Sequence, residues 1–183
     1  MLKKKLLKKK SCIRLILLLV MLISVCIRCG SNGNFKVYQN SNYRIKIKYP
    51  KNWTLQENRD GAVVVFMAPR EVPVDVFQEN VNIVVQDLSG QVITLQQYTA
   101  TAINQLTRVF KSVKILDSGP TYWGGKPAHK VEYIMQANVS LRLMHIWMIK
   151  GKKAYQFTFA ADADRYDEYM ETVQTMINSF QVN

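Results

Sequence analysis

Between Leu141 and Lys150 the chain places apolar side chains on both faces of an extended segment, Leu143 and Trp147 on one and Met144, Ile146 and Met148 on the other. A strand of that kind cannot lie at a solvated surface; it belongs inside a sheet with a layer packed above and below. Its neighbours fit the demand. Lys126–Ala137 and Ala154–Ala160 read as strands, and the breaks at Ala137–Leu141 and Lys150-Gly-Lys-Lys153 read as hairpin turns, hence antiparallel pairing.

The same period of two appears earlier. Tyr43, Ile45, Ile47 and Tyr49 alternate with Arg44, Lys46 and Lys48, and Pro50 closes the strand. Ala62–Met67, Val81–Leu88 and Val113–Asp117 are further strands, with Val81, Ile83 and Val85 sharing a face, and Pro69 to Gln78 is a loop. Two segments switch to helical spacing. In Thr94 to Phe110 the stripe is Leu95, Tyr98, Ala102, Leu106, Val109 and Phe110, opened by a Thr94/Gln97 capping box. In Asp164 to Phe180 it is Tyr166, Tyr169, Met170, Val173, Met176, Ile177 and Phe180, with Asp164, Asp167 and Glu168 at the positive end of the helix dipole. The fold class expected is α+β, an antiparallel sheet sandwiched by two main helices.

The net charge of +12 on 183 residues suggests a nucleic-acid partner until it is located. Residues 1–29 hold 8 of the 25 Lys+Arg and none of the 13 Asp+Glu, so the remainder carries only +4. Met1 to Lys10 is densely basic, and Leu15 to Ile27 is an uncharged, mostly apolar run of 13 residues closed by Arg28. Thirteen residues of helix span about 20 Å, short of the ~30 Å hydrocarbon core. The reading is a signal-peptide h-region, with an uncleaved signal anchor as the alternative. Export removes nucleic acid as an expected partner. All three cysteines, Cys12, Cys26 and Cys29, fall in this region, which excludes disulfides, thiolate zinc sites and cysteine nucleophiles from the rest. All 19 aromatics lie beyond it, which excludes disorder there.

Cys26, after Ile23-Ser24-Val25, and Cys29, before Gly30-Ser31-Asn32, resemble the lipidated cysteine of a bacterial lipoprotein signal. Cys26 is the first candidate, since Arg28 directly precedes Cys29. The expected organisation is a signal peptide over 1–29, a flexible tether over 30–34 and one domain over 35–183. The expected location is the bacterial cell envelope, membrane-anchored through the N-terminal lipid, facing the periplasm or the outer surface.

Chemical motifs are sparse. His129 and His145 are the only imidazoles. If the strands carrying them pair with residue numbers summing near 278, Tyr133 lies opposite His145 and Ile149 opposite His129. The histidines then stand four residues, about 13 Å, apart, too far to share a zinc ion. The Asp162 to Glu168 run fails the calcium-loop pattern, since Tyr166, Asp167 and Val173 occupy its fifth, sixth and twelfth places. No phosphate loop or nucleophile motif is visible. The expectation is a non-enzymatic domain without metal or cofactor, binding an envelope protein or a small ligand. Val72, Val74 and Phe77, on an apolar-rich loop, are the contact candidates. Two alternatives are an envelope hydrolase or metal-dependent enzyme with a site near His145, and a lipid or hydrophobe carrier. Arg44, Lys46 and Lys48 on one strand face are expected to suit anionic headgroups.

Three segments in order carry a family resemblance. Tyr38-Gln-Asn-Ser-Asn-Tyr43 with Ile45-Lys-Ile-Lys-Tyr-Pro-Lys-Asn-Trp53, then Trp123-Gly-Gly-Lys-Pro-Ala128 with Val131-Glu-Tyr133, then Tyr155-Gln-Phe-Thr-Phe-Ala160 before a helix ending Ser179-Phe180, resemble the photosystem II extrinsic subunit P-like (PsbP-like) proteins. That superfamily includes the Ran-binding Mog1 proteins and small exported bacterial lipoproteins. The resemblance implies a PsbP/Mog1-like α/β/α sandwich and a habit of protein contact, without a substrate. Function does not travel with fold, and nothing here implies photosynthesis. Each motif also has a packing role: Trp53 plugs a sheet edge, and Gly124-Gly125 makes a tight turn.

Overall fold

The computed structural model describes residues 33–70, 77–110 and 112–183. The leader, the tether up to Asn32 and the residues 71–76 lie outside them. Ten strands and two helices follow in order: β1 (Phe35–Asn40), β2 (Ile45–Pro50), β3 (Thr54–Arg59), β4 (Ala62–Met67), β5 (Asn80–Asp87), α1 (Leu95–Val109), β6 (Lys114–Trp123), β7 (Lys126–Gln136), β8 (Ser140–Lys150), β9 (Lys153–Asp162), α2 (Tyr166–Ser179) and β10 (Gln181–Val182). Seven strands form one sheet in the order β3-β4-β5-β9-β8-β7-β6, and β1-β2-β10 form a second, with antiparallel neighbours throughout. The chain is α+β and mostly sheet, as its periodicity requires.

The two-faced strand β8 sits between β9 and β7, inside the large sheet. On one face Met144, Ile146, Met148, Phe157 and Phe159 pack with Ile45 and Ile47 of the small sheet and with Val173, Met176 and Ile177 of α2. On the other, Val131, Tyr133, Trp147 and Ala154 pack with Tyr98 and the half-buried Ala102 and Leu106 of α1. Each large apolar side chain so buried contributes roughly 1.5–3 kcal/mol. Trp53 is buried edge-on to Tyr169 of α2, with ring centroids 6.1 Å apart. Trp123 stacks on Phe180 at 3.9 Å, which fastens the β6–β7 turn to the end of α2.

Four expectations need correction. The β7–β8 register pairs His129 with Trp147, Val131 with His145 and Tyr133 with Leu143, two residues from the expected pairing. Side chains keep their faces under a two-residue shift, but partners change. The strand expected over Val113–Asp117 runs from Lys114 through Gly119 and Pro120 to Trp123; as the sheet's edge strand, β6 tolerates a proline. Strand β3 carries no period in the sequence, because TLQENR holds one apolar residue, the half-buried Leu55, and is otherwise exposed. The apolar stripe of α1 is not buried to its end: Val109 is 70% and Phe110 38% exposed.

Gly124 and Gly125 both hold positive φ in the β6–β7 turn, 55° and 71°. A Cβ on Gly124 would lie 3.2 Å from the Phe180 ring, whereas one on Gly125 meets nothing within 4 Å. Gly125→Ala is therefore expected to cost about 1–2 kcal/mol from backbone strain alone. Gly124→Ala should cost about 1 kcal/mol more, because the added methyl also crowds the Trp123–Phe180 stack. Urea unfolding of the two variants checks this; equal losses would contradict the packing role of Gly124.

Candidate functional site

Helix α1 is pinned to the sheet near its N-terminal end. Thr94 accepts from the Gln97 amide at 3.2 Å, and the Gln97 side chain accepts from the Thr94 amide at 2.9 Å, completing the capping box. One turn on, the Tyr98 hydroxyl donates to Gln86 Oε1 at 3.0 Å and accepts from the Gln156 amide. Trp147 Nε1 donates to Thr99 Oγ1 at 2.8 Å. These polar fasteners carried no signal in the sequence, since Thr99, Gln86 and Gln156 break no pattern.

Towards its C-terminal end the helix leaves a cleft of about 240 Å³ against the sheet. Leu106, Val109 and Phe110 form the helical wall, and Tyr133, His145 and Trp147 form the floor. Ile115, 38% exposed, pairs with Tyr133 and so extends the apolar surface on the same sheet face. A wider trough of about 520 Å³ opens over β3, β4 and β5, on the half of that face beyond α1. It is larger but polar, and most of its side chains are spoken for: Gln56 accepts from Arg59, Gln78 donates to the Ala68 carbonyl, and Asn80 donates to the Gln78 carbonyl. A solvated face is ordinary for an antiparallel sheet, so the smaller apolar cleft is the better site candidate.

The two histidines flank Trp147. His129 stacks on it at 5.6 Å and His145 meets it edge-on at 6.4 Å. Each Nε2 is engaged, His145 with the Tyr133 hydroxyl at 3.1 Å and His129 with Ser118 Oγ at 2.9 Å. Burial drives the His145 pKa down to about 4 and that of Tyr133 up to about 12, so both are neutral at pH 7. Burial also lowers His129, against a smaller opposing pull from the Asp117 carboxylate. Ser118, His129 and Asp117 look like parts of a hydrolytic triad. The Ser118–His129 contact is the one a triad makes, but the carboxylate is engaged elsewhere: Asp117 is bound to Lys130 at 2.7 Å and does not orient the ring by a hydrogen bond. Among the described residues no group of three or more His, Cys, Asp or Glu is placed to hold a metal.

Of the contact candidates read from the sequence, Phe77 is half-buried at a bend before β5, while Val72 and Val74 lie outside the described residues. Cys26 and Cys29 lie outside them too. The exposed end of α1 was missed because Val109 and Phe110 fit the helical stripe so well that burial was the natural inference.

The family model described as PsbP matches residues 33–182. No curated protein matches the chain. Among solved structures, cyanobacterial PsbP (CyanoP) from Synechocystis sp. PCC 6803 is similar at 18% identity and a TM-score of 0.63, covering 86% of this chain and 99% of that one. LpqN, described as involved in cell envelope biogenesis of Mycobacterium tuberculosis, is similar at 12% identity and 0.63, covering 81% and 90%. The Saccharomyces cerevisiae Ran-binding protein Mog1p is similar at 11% and 0.57, covering 81% and 95%. At these identities the likeness establishes the fold.

The neutral floor has a pH signature. A histidine with a folded pKa near 4 and an unfolded value near 6.5 binds its proton more tightly when unfolded. The unfolded state therefore gains protons as pH falls from 6.5 to 4, and stability drops across that window, by at most about 3 kcal/mol. Denaturant melts at pH 7, 5.5 and 4.5 should show the drop in the native chain and a shallower one in His145→Phe. A His145 imidazole titrating near 6.5 by NMR would contradict the assignment.

Proposed function

The chain belongs to the PsbP family, and from that premise we propose that it is an exported, membrane-anchored lipoprotein whose domain is a non-enzymatic binding module of the bacterial cell envelope. The tether is a lipid on Cys26, with Cys29 as the second choice. The working surface is the cleft at the C-terminal end of α1, and its occupant is an apolar group of an envelope protein or a small ligand.

The observation that carries the reading is a covered-but-unfilled apolar surface. Val109 and Phe110 stand exposed over a cleft floored by Trp147, Tyr133 and a neutral His145. Val109, Phe110 and Ile115 are exposed together beside the cleft, and grouped apolar exposure of this kind is the usual mark of an interaction site. At about 240 Å³ the cleft admits a side chain or a ring-sized group and falls below the range of drug-sized sites, which weighs against a lipid carrier. Burial puts the His145 pKa near 4 and the Tyr133 pKa near 12, both far from the neutral pH at which a general acid or base works best, which weighs against a hydrolase there. The similarity to LpqN, described by its role in envelope biogenesis, supports the compartment.

Cells fed an alkyne-bearing fatty acid should label the native protein, and Cys26→Ala should abolish the label; persistence in Cys26→Ala but not in Cys29→Ala moves the lipid to Cys29. An unlabelled native protein would end the lipoprotein reading. Phe110→Asp should leave the domain folded, at a cost of about 1–2 kcal/mol for the covered part of the ring and for an acid at the helix C-terminus. It should also release whatever co-purifies with the solubilised native protein. Unchanged association in a folded Phe110→Asp variant would remove the cleft from the proposal.

A further inference from the structure

We propose, on the reading that the cleft at the C-terminal end of α1 is the working surface, that its occupant is a phenol: an aromatic ring carrying one hydroxyl. The lining sets the first limit. Leu106, Val109 and Phe110 form the wall and Tyr133, His145 and Trp147 the floor, and no carboxylate, lysine or arginine side chain lines the cleft. A charged group entering it would lose water without meeting an opposite charge, so an uncharged occupant is favoured. Phe110, Tyr133 and Trp147 are aromatic, which favours a ring over an aliphatic chain. At about 240 Å³ the space holds a single ring.

The polar groups of the lining set the second limit. Trp147 Nε1 is taken by Thr99 and the Gln156 amide nitrogen by Tyr98. Gln105 is exposed on the helix. At the floor stands the couple between the Tyr133 hydroxyl and His145 Nε2, 3.1 Å apart. Burial keeps both partners neutral at pH 7, so the couple has two forms. In one, Tyr133 donates to Nε2 and the imidazole proton sits on Nδ1. In the other, Nε2 donates to the tyrosine oxygen, which leaves Nδ1 an acceptor and the tyrosine proton free to donate. Among the described residues neither side chain makes a second hydrogen bond, and His145 is only half-buried. In either form, therefore, the couple keeps one donor and one acceptor for an incoming group.

A carbonyl only accepts and an ammonium only donates, so each answers half of what the couple offers. A hydroxyl does both through one atom, and it matches either residue in either form. A bare ring would satisfy the wall and leave the couple covered and unanswered. The ring and the hydroxyl together meet wall and floor at once. A phenol arrives either as the tyrosine side chain of an envelope protein or as a small molecule, and the two sources share this chemistry.

Methyl NMR of the full chain in phosphatidylcholine nanodiscs, titrated at known free ligand concentration, tests the proposal. Addition of p-cresol should shift the Leu106 and Val109 methyls saturably. Toluene, which lacks the hydroxyl, and p-toluate, which is charged, should each bind at least about tenfold more weakly. His145→Phe should bring p-cresol and toluene to within about threefold of one another. If that variant does not fold, the His145 imidazole nitrogen shifts of the native chain make the same test: p-cresol should move them and toluene should not. No saturable shift with p-cresol, or toluene binding as tightly as p-cresol, overturns the proposal. N-acetyltyrosinamide separates the sources: binding at least as tight as that of p-cresol assigns the cleft to a tyrosine side chain, and its exclusion assigns it to a small phenol. A partner released by Phe110→Asp when p-cresol does not bind would end the phenol and leave the binding module standing, so the two failures are distinct results.

Discussion

The rest of the structure depends on two adjacent strands that must be dry on both faces. In β8 and β9, Met148, Phe157 and Phe159 are fully buried towards α2, and Trp147 and Ala154 are buried towards α1. A sheet with such a centre needs two covers. One is built from α2 and the β1-β2-β10 sheet. The other is a single helix of 15 residues laid over a seven-stranded sheet, and it is too short to cover it. Where the helix stops, the apolar cleft begins; where it never reaches, the face turns polar. The site candidate is thus a consequence of how the core is closed.

Those same faces were legible in the sequence wherever burial imposed a period. Strands β2, β4, β8 and β9 and both helices follow directly from alternation or helical stripes. Strand β3 did not, because an edge strand with little burial leaves no period to read. Strand β10, Gln181–Val182, is too short to show one. The β7–β8 register illustrates a subtler limit. Facing is fixed by parity, but the partner is fixed by the turn, here Ala137 donating to the Val139 carbonyl at 3.0 Å. A two-residue slip therefore preserved every buried face and still misplaced both histidines. In the structure they flank Trp147 and do not stand four residues apart.

The site itself was only half legible. His145 drew attention as one of two imidazoles, yet its chemistry comes from neighbours contributed by another strand and by a helix about forty residues upstream. Apolar surroundings make it neutral and hydrogen-bonding, which suits recognition better than proton transfer. The PsbP fold serves proteins as different as CyanoP, LpqN and Mog1p, so architecture alone does not choose among functions. The binding role proposed above rests instead on local features: an exposed apolar helix end, a shallow cleft beneath it, and polar groups that are already paired.

The most direct test of this account is photo-crosslinking in living cells from a benzoylphenylalanine placed at Val109, with Ser41, at the β1–β2 turn, as the control position. The account predicts a discrete adduct from position 109 that is absent from position 41. Adducts of the same pattern from both positions, or none from position 109 in a correctly localised protein, would contradict it.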